Sequence, residues 1–186
     1  TDNNGNVSTC TATLDVQDNT NPTAICQNTT VVLDASGHGS ITTADIDNGS
    51  NDACGIQSLT LDQTSFDCND IGNNTVTLTV TDNNGNVSTC TAIVDVQDNT
   101  NPTAICQNTT VVLDASGHGS ITTADIDNGS NDACGIQSLS LDQTSFDCND
   151  IGNNTVTLTV TDNNGNVSTC TAIVDVQDNT ILETTL

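Results

Sequence analysis

The segment TDNNGNVSTC recurs at residues 1, 81 and 161, and this period of 80 residues constrains the chain more than any other feature. Residues 21–100 and 101–180 differ only at Thr60 against Ser140, so whatever fold one copy adopts the other adopts too. Residues 1–20 match the last quarter of the period, with Thr13 and Leu14 where later copies have Ile93 and Val94. They are expected to be the closing hairpin and last strand of a preceding repeat. After Thr180 the period is broken by Ile181-Leu-Glu-Thr-Thr-Leu186, expected as a tail or the start of a different domain. The domain reading is therefore repeats at 21–100 and 101–180, flanked by 1–20 and 181–186.

Within one repeat, Val76, Leu78 and Val80 alternate with Thr77, Thr79 and Thr81, a period of two that suits a pleated strand with β-branched residues on both faces. Asp82-Asn-Asn-Gly85-Asn86 supplies turn chemistry, and Ser88, Cys90, Ala92, Val94 and Val96 resume the alternation, so 74–97 predicts a hairpin. Further strands are predicted at Ile25–Leu33, Ser40–Ile46 and Ile56–Leu61, separated by clusters of Asp, Asn, Gly and Ser. No segment carries a helical period. Turns recurring every ~8–12 residues between short strands predict an all-β fold, tandem immunoglobulin-like antiparallel β-sandwich repeats of 80 residues.

Composition narrows the function. The chain has no Lys or Arg, 24 acidic residues and a formal charge of −24. It has nothing with which to neutralise phosphates, which disfavours nucleic acid and anionic membranes as partners; its natural partners are cations. Nine cysteines without metal-binding spacing read as a disulfide framework, which persists in oxidising surroundings and places the chain outside the cell, secreted or on the surface. No apolar run is long enough for direct membrane insertion. With one Phe per repeat and no Trp or Tyr, the core alone is marginal, and disulfides worth about 2–4 kcal/mol each or a metal must help.

Four motifs carry a resemblance: Pro22-Thr-Ala-Ile-Cys26, Asp52-Ala-Cys-Gly55, Phe66-Asp-Cys68, and the run from Val76 to Cys90. Together they resemble the hyalin-repeat (HYR-like) immunoglobulin-type modules of large Bacteroidetes surface proteins and some animal extracellular proteins, over nearly the whole chain. The resemblance implies an adhesive or structural role on a bacterial surface, export by the type IX pathway, and no catalytic residues. In an immunoglobulin-like sandwich the first and last strands run side by side, which makes Cys26 and Cys90 neighbours and leaves Cys54 and Cys68 to pair locally. Four cysteines allow three connectivities. The same rule pairs Cys106 with Cys170 and Cys134 with Cys148. Cys10 is then left over, its partner expected 64 residues upstream and lost by truncation.

Each repeat has 10 Asp, no Glu and many Asn, mostly in loops, and such hard oxygen ligands suit Ca2+ as well as ordinary solvated turns. In the expected fold, the loop Asp45 to Asp52 and the turn at Asp82 project towards the linker entering the domain. That linker, Asp15-Val-Gln-Asp18-Asn19-Thr-Asn21-Pro22, resembles the Asp-x-Asn-Asp-Asn-x-Pro junction of cadherins, with Gln17 replacing the first Asn and one residue added before Pro22. Carboxylates converging there without Lys or Arg repel unless a cation sits among them. The candidate ligands are Asp15, Asp18, Asn19, Asp45, Asp47, Asp52 and Asp82 at the first junction. At the second they are Asp95, Asp98, Asn99, Asp125, Asp127, Asp132 and Asp162, with Asp67 and Asp70 approaching from the far end of the first repeat.

No organic cofactor is implied. His38 and His118 sit in Gly-His-Gly turns without a nucleophile at a meaningful spacing, and solvated turns are their expected state. The reading is a non-enzymatic structural segment of an extracellular filament or adhesin stalk, stiffened by disulfides and calcium. Its partners are neighbouring repeats of the same chain, with self-assembly into filaments. The alternative, a carbohydrate- or protein-binding accessory module, calls for an exposed aromatic platform, and the composition offers neither Trp nor Tyr for one.

Overall fold

A computed structural model describes residues 1–179; the segment read as a tail or new domain, 181–186, lies outside the described residues. Contacts gather the chain into two compact units. One comprises Thr1–Thr29, Thr42–Gln63 and Thr75–Ile93; the other comprises Thr30–Ile41, Thr64–Asn74 and the chain from Val94 onward. This division cuts through the first 80-residue repeat.

Both repeats are sandwich-like and share one element order. In the first these are β1 (Thr29–Val32), β2 (His38–Ser40), a helical turn α1 (Thr43–Ile46), β3 (Ile56–Leu61), β4 (Ser65–Asp67), β5 (Gly72–Asp82) and β6 (Val87–Gln97). In the second they are β7 (Thr109–Val112), β8 (His118–Ser120), α2 (Thr123–Ile126), β9 (Ile136–Leu141), β10 (Ser145–Asp147), β11 (Gly152–Asp162) and β12 (Val167–Gln177). A 3-10 turn, Cys68–Asp70 or Cys148–Asp150, follows β4 and β10.

The second unit holds a complete sandwich. One sheet runs β7-β12-β11-β9 and the other pairs β8 with β10. The β11–β12 hairpin sets Val156 opposite Ala172 and Leu158 opposite Cys170, so one face of the pair is apolar and the threonines lie on the other. From that inner face Val156, Leu158, Val160 and Val174 are fully buried against Ile126 and Phe146. Phe146 lies opposite Gly119, where any Cβ would strike the Val111 side chain, so a glycine lets β8 pass close over the Val111 and Leu113 side chains. Parallel pairing of β7 with β12 begins at Thr109 and Val174, and just before it Cys106 and Cys170 meet.

In the first unit β3 pairs with β5, Leu59 opposite Val80, with a bulge near Ile56. Residues 1–20 contain no strand. Leu14 and Val16 are 87% and 82% exposed, whereas their counterparts Val94 and Val96 in β6 are 0% and 1% exposed. The turn at their start forms nonetheless, the Asp2 carboxylate accepting from the N–H groups of Asn4 and Asn6 at 2.9 and 2.8 Å.

Two strand expectations are corrected. Residues 40–46 are not one strand: β2 ends at Ser40, and α1 follows because the Asp45 carboxylate reaches back to the Thr42 N–H (2.7 Å) and hydroxyl (2.8 Å). The strand expected over 25–33 is only Thr29–Val32, preceded by an isolated bridge between Cys26 and Asp47.

Candidate cation site and disulfide staple

The cysteine framework departs from the local pairing expected within each repeat. Cys26 joins Cys90 and Cys106 joins Cys170, each at a Cα separation of 5.8 Å. Cys68, however, is bonded to Cys134 of the following repeat, with Cα atoms 5.2 Å apart, and not to Cys54. Cys134 accordingly does not pair with Cys148; Cys54, Cys148 and Cys10 are exposed free thiols. The reason lies in how each partner is presented. Cys68 opens the 3-10 turn, which Asp67 and Asp70 brace: Asp67 accepts from the Asn69 N–H (2.7 Å) and Asp70 from the Asp67 N–H (2.9 Å). This aims its sulfur at the Gly37 turn, 3.8 Å from the Gly37 carbonyl oxygen. Gly37 has φ +77°, and a Cβ there would lie 2.7 Å from the Cys68 sulfur and 3.3 Å from the Ala133 Cβ. The Asp132–Gly135 loop of the second repeat is thus seated on the Gly37 turn of the first, and only glycine fits between them.

The same loop carries carboxylates. Asp132 accepts from the Cys134 N–H (2.8 Å), and Asn163 donates to the Cys134 carbonyl (2.8 Å), which fixes the loop. Ligand atoms of Asp98, Asp132 and Cys134 lie within 4.8 Å of one another, as do those of Asp18, Asp52 and Cys54 in the first unit. Asn166 donates to the Asp98 carbonyl (3.1 Å) and Asn86 to the Asp18 carbonyl (3.2 Å), tying each linker to a hairpin turn. Asp82 and Asp162, at the heads of those turns, are fully buried. Each accepts from two backbone N–H groups and from the side chain of Asn86 or Asn166, at 2.8 Å throughout. Burial raises the Asp82 carboxyl, but these hydrogen bonds outweigh it and leave the group below its ordinary value.

The two carboxylate clusters differ in the state of the cysteine and in burial. In the first unit the Asp18 carboxylate is held below its ordinary value by the Thr20 N–H and then by the Cys54 thiol, and the same hydrogen bond and the Asp18 charge push the Cys54 thiol up. At the second cluster the Cys134 sulfur is committed to the disulfide and carries no proton. Asp98 is 7% exposed; one of its oxygens accepts from the Thr100 N–H (3.0 Å), and the other, Oδ2, is buried without any hydrogen-bond partner. A buried, unsatisfied carboxylate oxygen beside a second carboxylate is an arrangement that a hard cation relieves. The disulfide sulfur is too soft to contribute.

The other sequence candidates are occupied locally. Asp45 and Asp125 are engaged by Thr42 and Thr122, Asp47 and Asp127 by the N–H groups of Ser50 and Ser130, and Asp15 and Asp95 by Gln17 and Gln97. Asn19 and Asn99 are exposed. Among the described residues, no other group of three Asp, Cys or His side chains comes close enough to share an ion. Sequence reading did not find the Cys68–Cys134 staple; the cue available was that Cys54 and Cys134 are one repeat position in two copies.

No protein-family model matches the chain, and no curated protein does, so the hyalin-repeat resemblance stands on its motif residues. Similar solved structures are cadherin-type. Human protocadherin-24 EC1-2 is 12% identical with a TM-score of 0.45, the match covering 87% of this chain and 100% of that one. Mouse cadherin-23 EC22-24 is 16% identical with a TM-score of 0.42, covering 86% and 65%. The protocadherin GammaB4 extracellular domain is 15% identical with a TM-score of 0.41, covering 86% of this chain, which spans 32% of its length.

Proposed function

We propose that this chain is a non-catalytic structural segment of an extracellular filament or adhesin stalk, in which consecutive repeats are joined covalently and further stiffened by Ca2+. Three disulfides support an oxidising, extracellular setting, and no described helix is long and apolar enough to cross a membrane. The Cys68–Cys134 bond supports the mechanical part, since a linker backed by a second covalent tie resists bending and pulling better than a peptide linker alone.

The observation that carries the calcium reading is the orphaned Oδ2 of Asp98 beside Asp132. Asp98 and Asp132 would hold the ion, with water and backbone carbonyls completing the 6–8 oxygens that calcium takes. The ion supplies positive charge in a chain that has no Lys or Arg to offset its carboxylates. Because Asp132 and Cys134 share one loop, ion and disulfide brace the same joint.

The test is small-angle scattering and isothermal titration of the full chain with calcium and with chelator. A longer, narrower distribution of dimensions in calcium, together with measurable binding heat, supports the reading. No heat and no change in melting temperature would leave the acidic loops as solvated turns and remove calcium from the proposal.

A further inference from the structure

The sulfur of Cys134 belongs to the staple and to the carboxylate cluster at once: it is bonded to Cys68, and it lies within 4.8 Å of carboxylate oxygens of Asp98 and Asp132. We propose that the Cys68–Cys134 bond gates the cation site, the disulfide conferring affinity for a hard divalent cation and the Cys134 thiol weakening it. This rests on the calcium reading above and adds regulation to that same site.

The Asp52–Gly55 loop displays the same segment with its sulfur as a thiol. There Asp52 accepts from the Cys54 N–H at 2.7 Å and Asn83 donates to the Cys54 carbonyl at 2.8 Å; around Cys134 both distances are 2.8 Å. The linkers match as well, Asp18 accepting from the Thr20 N–H and Asp98 from the Thr100 N–H, each at 3.0 Å. Loop and linker therefore take this shape with or without the bond, and what the bond alters is the sulfur and the burial around it. As a thiol, the sulfur donates to the Asp18 carboxylate. As a disulfide it has no proton to donate, and Oδ2 of the buried Asp98 is left without a partner. A carboxylate that accepts from a thiol must lose that hydrogen bond before it ligates an ion, whereas an orphaned oxygen loses nothing. For a weak S–H donor on a charged acceptor, the difference is about tenfold in affinity. Binding and oxidation share one thermodynamic cycle, so the ion favours the disulfide over the dithiol by the same factor. For a two-electron couple, tenfold is about 30 mV.

The reductant is a small thiol such as glutathione. Its thiolate attacks the Cys68 sulfur and breaks the bond, releasing Cys134, which takes up a proton; a second small thiolate attacks the small-molecule sulfur of the mixed disulfide and releases Cys68. The two protein sulfurs gain one electron each, the two small thiols leave as their disulfide, and their two protons end on Cys68 and Cys134.

The test uses the full chain with Cys10→Ser, Cys54→Ser and Cys148→Ser, which prevent thiol exchange, and Asp52→Asn, which silences the first cluster. Calcium is titrated calorimetrically into this parent, into a Cys68→Ser variant that leaves Cys134 a thiol, and into Cys68→Ser/Cys134→Ala, which has neither bond nor donor. Cys68→Ser is expected to bind about tenfold more weakly than the parent, and Cys134→Ala to restore most of the loss. Equal binding by parent and Cys68→Ser overturns the proposal. So does a double variant as weak as Cys68→Ser, because the bond would then act only as a tether. A second measurement needs no variant at Cys68 or Cys134: the parent is equilibrated in graded glutathione buffers with calcium or chelator. Because the chain has no Lys or Arg, the Cys68–Cys134 fraction is read by peptide mapping after cleavage at Asp. Calcium is expected to shift its midpoint by about 30 mV towards reducing conditions and to leave Cys106–Cys170 in place. Calcium binding by the parent without that shift sinks only this inference, whereas a parent that binds no calcium sinks the calcium reading and this one with it.

Discussion

Replacing both Cys106 and Cys170 by alanine removes the bond that closes the second sandwich over a sequence separation of 64 residues. Loop-closure entropy for a crosslink of that span corresponds to about 4 kcal/mol of unfolding free energy at room temperature, because the unfolded chain regains the conformations the bond denied it. Both cysteines also pack against the core, and trimming their sulfurs adds up to about 1 kcal/mol. Against the ~5–15 kcal/mol that holds a typical domain, this is a large share, and a core with a single Phe has little reserve. The chain has neither Trp nor Tyr, so unfolding in urea is followed by far-ultraviolet circular dichroism rather than fluorescence. The Cys26–Cys90 bond, left intact in the same molecule, serves as the reference. A loss below about 1 kcal/mol would refute the reasoning, since the unfolded chain would then be constrained by something other than the crosslink.

Three further outcomes are expected. Asp98→Asn abolishes any calcium-induced rise in melting temperature, yet in chelator it stabilises by about 1–3 kcal/mol, because the amide removes a buried charge with an unsatisfied oxygen; destabilisation in chelator contradicts the orphan-oxygen argument. Gly37→Ala, which forces a Cβ against the Cys68 sulfur at φ +77°, lowers the yield of the Cys68–Cys134 bond on reoxidation and leaves Cys106–Cys170 unaffected, as read by peptide mapping. Acid lowers stability in a defined window. Asp45, Asp82, Asp114 and Asp125 all have folded-state values below the ordinary 3.8, so their contribution is present above pH 3.8 and is lost as pH falls through the lower folded values. The melting temperature is therefore flat near neutrality and drops only below about pH 4; a fall beginning near pH 6 would refute the assignment to these carboxyls.

Local rules made much of the fold legible. The strand expected at Ile56–Leu61 has those bounds in the structure, and the alternation over 74–97 is the β5–β6 hairpin, turned by Asp82 and Gly85. Helical turn α1 was hidden by the β-branched residues around it, although Thr42 and Asp45 stand at the spacing of a helix start. Asp45 caps this turn and Asp47 closes it. At the candidate cation site, the oxygen ligands Asp98 and Asp132 were legible as acidic loop residues, but their nearness, and the missing partner of Asp98 Oδ2, follow only from where the linker and the loop meet.

By itself the sequence determined what short-range chemistry can decide: the period, the hairpin and its turn, the apolar face of each strand, and the need for crosslinks. The turn at Asp2 shows how local that is, forming its hydrogen bonds in a segment without a strand. Tertiary structure decided the rest. Val94 and Val96 are buried in β6, because alternation becomes a strand only where a neighbouring strand supplies hydrogen bonds and a facing sheet removes water. It also chose Cys134 over Cys54 as the partner of Cys68: two identical copies of one loop cannot be told apart along the chain, and only the seating of Ala133 on the Gly37 turn distinguishes them.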